Sequence, residues 1–171
     1  HNDDHQHSGL ALFTPAEVEP IIGQMGAALD AAHKVGPHSN LKPENVIVLP
    51  DLLKVCDFGL ALAIPRPPFV QAVKARRAER YLAPEYIEGH EVDERADIYS
   101  LGVIAGEMLS GLVPEGAIPE IARRNPAVAP ALEGLYRKAL NPSPSARPKT
   151  AGAFWEEFAD LVSRLSPPPL K

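Results

Sequence analysis

From about Asp93 to Ser110 the chain places Ile98, Leu101, Val103, Ile104, Ala105, Met108 and Leu109 nearly all round a helix instead of along one stripe. A helix of that kind has no face to offer to water. It belongs in the middle of a domain, with other helices packed about it. Gly111 follows as a stop, because glycine enters the left-handed conformation that ends helices without steric penalty. The remaining elements must therefore supply cover for this one.

Thr14-Pro15-Ala16-Glu17 predicts a helix start: Thr14 can cap, Pro15 suits the first turn, and Glu17 completes a capping box. Val18, Ile21, Ile22, Met25, Leu29 and Ala32 then keep helical spacing to about Lys34, and Gly36-Pro37 stops the run. Two apolar runs, Val46 to Leu49 and Leu52 to Cys56, flank Pro50-Asp51 and predict a small hairpin. From Ile64 to Glu85 periodicity disappears, and a long surface loop is expected. Further helices are predicted over Ile118 to Arg124, Ala129 to Leu140 and Thr150 to Leu165. The last sets Phe154, Phe158, Leu161, Val162 and Leu165 on one face. The fold class is mainly α, helices around a central apolar helix, with one β-hairpin.

At 171 residues the chain is about one domain, long enough to bury a core. No apolar run approaches the roughly 18 residues of a membrane span, and no leader-like segment opens the chain. A net charge of −5 argues against nucleic acid as a partner. The lone Cys56 excludes an internal disulfide and a cysteine-built zinc site, and a reducing, cytoplasmic compartment is expected. Residues 1–13 read as a polar N-terminal segment, 14–165 as the folded lobe, and 166–171, with Pro167 to Pro169, as a linker. Both ends read as cuts through a longer protein. The histidines at positions 1, 5 and 7 read as a solvated end before a metal site.

His38-Ser39-Asn40-Leu41-Lys42-Pro43-Glu44-Asn45 resembles the protein-kinase catalytic loop, H-R-D-L-K-P-x-N. Twelve residues after Asn45 stands Asp57-Phe58-Gly59, matching D-F-G, and Ala83-Pro84-Glu85 matches A-P-E. Asp97 to Gly102 resembles the opening of that family's central helix, and Asn141 to Pro148 its late loop, whose arginine here is Arg147. Five short motifs in the family's order cover about residues 14 to 165. Lys42 with Pro43-Glu44-Asn45 is similar to the serine/threonine branch. The resemblance implies a kinase-like C-terminal lobe that starts after the hinge, with the N-lobe and half of the ATP site absent.

What the resemblance implies for the site is mixed. In active members the loop aspartate accepts the substrate hydroxyl's proton; that position is Asn40, whose amide is no base at neutral pH. Loss of a general base typically costs about 10²–10⁴ in rate. The neighbouring arginine that grips a phosphorylated loop is Ser39. The threonine expected before A-P-E is Ala78, and between Asp57 and Glu85 only Tyr81 carries a hydroxyl. Retained are Asn45 and Asp57, oxygen donors where the family holds Mg²⁺, and Lys42, which would face the terminal phosphate. Ile47, Ile104 and Met108 fall under the adenine position. No cofactor is demanded; Mg-ATP is the one these residues could hold, weakly or not at all without the N-lobe. Asn45 and Asp57 read first as structural ties, ahead of Mg-ATP binding.

Structural roles are expected elsewhere. Asp97 would accept hydrogen bonds from the loop backbone, Glu85 and Arg147 would form a buried pair, and His38 and Phe58 would pack near the lobe interface. His33 would be a satisfied core histidine and Cys56 a small buried hydrophobe. Arg66, Lys74, Arg76, Arg77 and Arg80 make residues 66–80 either a solvated face or a docking patch for an acidic partner. Three functions follow: a pseudokinase lobe that binds protein partners or itself through the inter-lobe face (Ile47, Phe58, Met108), an active but atypical kinase, or a nucleotide-sensing switch.

Overall fold

The computed structural model describes residues 12–58, 79–115 and 117–165. Helix α1 (Pro15–Ala32) begins as its capping box requires: Thr14 Oγ1 accepts from the Glu17 amide at 3.4 Å, and the Glu17 carboxylate accepts from the Thr14 amide at 2.8 Å. Those hydrogen bonds from Thr14 hold the Glu17 carboxyl below its ordinary pKa. Val18, Ile22, Met25 and Leu29 form its buried stripe.

A single 3₁₀ turn (Pro43–Asn45) leads into the antiparallel hairpin of β1 (Val46–Leu49) and β2 (Leu52–Val55), in the register Val46 with Val55 and Leu49 with Leu52. Strand side chains alternate between faces. Leu53 points to the core, and Gln24 of α1 accepts a hydrogen bond from its amide at 2.9 Å. On the opposite face Ile47, Leu49 and Leu52 are exposed.

Helices α2 (Pro84–Ile87) and α3 (Arg95–Ser110) follow, then a single turn α4 (Ile121–Arg124), α5 (Pro130–Ala139) and α6 (Ala151–Leu165). Helix α3 is the buried centre, with Ile98, Leu101, Val103, Ile104 and Leu109 shielded from solvent. Gly111 stops it at φ 69°. α1 packs most extensively on α6, and α3 touches α1, α5 and α6. Where α3 meets α5 the backbones come close. A Cβ on Gly102 would lie 2.7 Å from Leu140, and one on Gly106 would overlap the Tyr136 ring. The Asp30 carboxylate of α1 caps α6 by accepting from the amides of Ala151 and Gly152, at 3.1 and 2.9 Å.

Four expectations need correction. The helix predicted from Ile118 is one turn from Ile121, because Pro119 fixes its own φ and disfavours helix at the residue before it. The loop predicted to Glu85 is not all surface. Tyr81, Ala83 and Glu85 are buried, and Ser100 Oγ donates to the Tyr81 carbonyl at 2.6 Å. Leu165 is 44% exposed, being the last residue of α6. Cys56 is half-buried, not buried. Residues 1–11, 59–78, 116 and 166–171 lie outside the described residues. So do the polar end, Gly59, the linker, Ala78 and every basic residue of the 66–80 stretch except Arg80.

Candidate functional site

Asp97, in the first turn of α3 and fully buried, organises the loop. Its Oδ2 accepts from the His38 amide at 2.6 Å and its Oδ1 from the Ser39 amide at 2.8 Å. The His33 ring from the end of α1 reaches Oδ2 at 2.9 Å. A buried carboxylate needs such donors to offset its lost hydration. Ser39 takes φ 63°, a conformation that costs a non-glycine residue free energy. The two clasped amides lead into that kink and hold it in place.

His38 continues the network. Its Nδ1 accepts from the Asn40 amide at 3.2 Å, so the neutral ring donates from Nε2 to the Cys56 carbonyl at 2.8 Å. The Phe58 ring packs against it with centroids 4.4 Å apart. Asn45, buried, donates from Nδ2 to the Asn40 carbonyl at 2.9 Å, and its own carbonyl accepts from the Cys56 amide at 2.8 Å. Asn40 is thus held through its main chain on both sides, while its amide side chain has no hydrogen-bond partner among the described residues.

Asp57 follows directly, exposed and at φ 65°. Neither its carboxylate nor the half-buried Lys42 ammonium is engaged by a described residue. The structure therefore brings Asn40, Asn45 and Asp57 onto one loop-and-hairpin unit, and Lys42 stands in the same loop. The expected apolar floor is only partly surface. Ile47 is 47% exposed, Met108 is half-buried and Ile104 is inside the core.

A second polar unit holds α2. Arg147 makes a bidentate pair with Glu85, at 2.7 and 2.8 Å, its side chain wholly buried. The guanidinium also donates to the carbonyls of Asn141, Arg95 and Pro142, and lies 5.1 Å from the Tyr99 ring centre. Burial pushes the Tyr99 phenol above its ordinary pKa. Arg80, the one described member of the basic stretch, pairs with Glu115.

Sequence reasoning placed Asp97, Glu85 and Arg147 in these roles, but it did not find the third partner of Asp97. His33 was marked only as a core histidine; no spacing rule links it to a residue 64 positions away. Asn125 was also missed. It donates to the carbonyls of Phe13 and Leu109, at 2.9 and 2.8 Å, tying the approach to α1 onto the end of α3.

The residues present fit a magnesium–phosphate group. Nδ2 of Asn45 is spent on Asn40, which leaves its Oδ1 as an oxygen donor, and the Asp57 carboxylate is unengaged by the described residues. Mg²⁺ favours this arrangement, one or two protein oxygens with phosphate and water completing the shell. No group of three or more His, Cys, Asp or Glu side chains placed to hold a metal ion occurs among the described residues.

Comparison with known proteins shows the family and the fold. A family model described as "Protein kinase domain" matches residues 3–165. The serine/threonine-protein kinase PknD of Mycobacterium tuberculosis is 37% identical over 157 residues, spanning 82% of this chain and 24% of that protein. The serine/threonine-protein kinase pkn3 of Myxococcus xanthus is 34% identical over 164 residues, spanning 81% and 30%. The crystal structure of the M. tuberculosis PknI kinase domain superposes with a TM-score of 0.73 at 26% identity, covering 90% of this chain and 58% of that one. The chain thus spans a quarter to a third of the length of these curated relatives. No helix among the described residues is long and apolar enough to cross a membrane.

Proposed function

The chain belongs to the protein kinase superfamily, serine/threonine type, and from that premise we propose that it is a catalytically impaired, pseudokinase-type C-terminal lobe that works as a protein-interaction or regulatory module in the cytoplasm. One observation carries the reading. The main chain at Asn40 is held by His38 and Asn45 and the loop by Asp97, yet the side chain at the proton-accepting position is an amide. The loop is kept while the base is lost, which is the pattern expected when shape is used and chemistry is not.

In this reading Lys42, Asn45 and Asp57 keep the capacity to hold Mg-ATP: Lys42 against a terminal phosphate, and the two oxygen donors around the metal. The bound metal would neutralise phosphate charge. Ile47 would lie beneath the adenine. With Asn40 in place nothing on the loop takes up the hydroxyl proton of an incoming substrate. Partners would be proteins, meeting the exposed face around Ile47 and Phe58 or the basic stretch 66–80, and self-association through that face belongs to the same proposal; nucleic acid is not among them. A second reading, an active but atypical kinase, is favoured by the retention of Lys42, Asn45 and Asp57. A nucleotide-sensing switch is intermediate between the two.

Phosphotransfer from radiolabelled ATP separates these readings, measured on the polypeptide that carries this chain and on its Asn40→Asp variant. The expected outcome is background transfer by the parent and a gain of about 10²–10⁴ in the variant. Robust transfer by the parent, abolished by Asp57→Ala, would overturn the proposal in favour of the active kinase.

A further inference from the structure

A helix leaves its last carbonyls without partners of its own. At the end of α3 three of them are met from outside the helix. The Met108 carbonyl accepts from the Phe13 amide at 3.2 Å, that of Leu109 from Asn125 Nδ2 at 2.8 Å, and that of Ser110 from Arg124 Nε at 2.9 Å. Two distant pieces of chain, the approach to α1 and the end of α4, thus complete one cap.

Asn125 joins the two pieces. Its other Nδ2 hydrogen goes to the Phe13 carbonyl at 2.9 Å, while its Oδ1 accepts from the Ala127 amide at 3.1 Å. The Ala127 donor fixes which end of the side chain is oxygen, so both N–H groups face carbonyls. Phe13 is thereby held through both of its main-chain groups, the amide by α3 and the carbonyl by Asn125.

The neighbouring elements do not depend on this junction. α1 starts on its own capping box of Thr14 and Glu17, and Gly111 closes α3 by donating to the Glu107 carbonyl at 2.7 Å. Ile121 and Val128 seat the chain on either side of Asn125 in the core. Phe13 itself is 45% exposed, so main-chain hydrogen bonds hold it more than apolar burial does. Segments held in this way open at free energies well below that of global unfolding.

We propose that Phe13, Arg124 and Asn125 form a latch on the end of α3 that opens as one unit, fastening or releasing the polypeptide that precedes Thr14 while α1 and α3 stay folded. The unit is cooperative because its members share partners. When Asn125 leaves, the carbonyls of Leu109 and Phe13 lose their donor together, and Arg124, its chain neighbour, is drawn from Ser110. The latch is independent of whether the loop around Asn40 performs chemistry.

Hydrogen exchange of the ¹⁵N-labelled full chain, followed by NMR at several low urea concentrations, tests the latch. The amides of Phe13 and Ala127 should share one opening free energy, insensitive to low urea, and should exchange well before those of α6. Arg124 is exposed and makes no hydrogen bond to Phe13. Arg124→Ala should nonetheless speed exchange at the Phe13 amide about tenfold, and Arg124→Lys, which can still donate to Ser110, should restore part of the protection. Asn125→Asp, which sets an acceptor against two carbonyls, should act more strongly and leave α6 protected. A Phe13 amide indifferent to Arg124→Ala would reduce Arg124 to a cap of α3 and overturn the proposal. Different opening free energies at Phe13 and Ala127, or Phe13 exchange only together with α6, would do the same. Should Asn125→Asp unfold the chain, the two Arg124 variants still decide.

Discussion

The loop-and-hairpin face and the helical base of this lobe are built on opposite terms. In the base, α1, α3, α5 and α6 bury Met25, Leu101, Leu132, Phe154 and Phe158 almost completely, and cohesion comes from apolar area removed from water. On the face, apolar groups such as Ile47, Leu49 and Leu52 stay exposed, and order comes from hydrogen bonds between a few buried polar groups and the backbone. The two meet at α3, whose flanks fill the core while Asp97 in its first turn holds the loop. The base can thus be stable while the face is spent on geometry, including two non-glycine residues at positive φ.

The largest effect belongs to the base. Phe158→Ala should destabilise by about 3–5 kcal/mol, read as a lowered urea midpoint; a loss below 1 kcal/mol would mean that the core is not where it is placed here. Asp97→Asn turns an amide toward one of the main-chain donors and should cost about 1–3 kcal/mol. Hydrogen exchange should show the amides of His38 and Ser39 losing protection before those of α1 and α6. Uniform loss across all helices would erase the distinction between the regions. Ile47→Ser on the exposed hairpin face should stay within about 0.5 kcal/mol, and a larger cost in thermal denaturation would mean that something covers that face.

The smallest effect is electrostatic. The Arg95 guanidinium beside Asp93 holds its carboxyl below the ordinary carboxylate pKa. A folded pKa below the unfolded one contributes stability that is fully present above the unfolded value and fades as pH falls through the folded one. Asp93→Asn should therefore trim stability slightly at neutral pH and leave it unchanged in strong acid. Urea midpoints measured against pH check this, and a difference that grows toward acid would reverse the sign. The pair is about two-fifths exposed to solvent, which keeps the effect small.

Much of the base was readable because its signals are local. The capping box at Thr14 and Glu17, the stripe from Val18 to Leu29, the all-round apolarity of α3 and its stop at Gly111 each lie within a few turns of chain. The loop motif was readable as a resemblance, and its chemistry could be questioned from one letter at Asn40. The short α2 was hidden. A four-residue helix has no period to detect, and it is held by Glu85 reaching an arginine 62 residues away.

By itself the sequence determined the helical class, the hairpin, the order of motifs and the amide side chain at Asn40, because these depend on side-chain type and on spacings shorter than one element. The tertiary structure alone decided that His33 shares Asp97 with the loop, that Asn125 ties the approach to α1 onto the end of α3, and that Ile104 faces inward. Each of these joins residues far apart in the chain. Such contacts form only where packing has already brought the elements together, and no local preference encodes them.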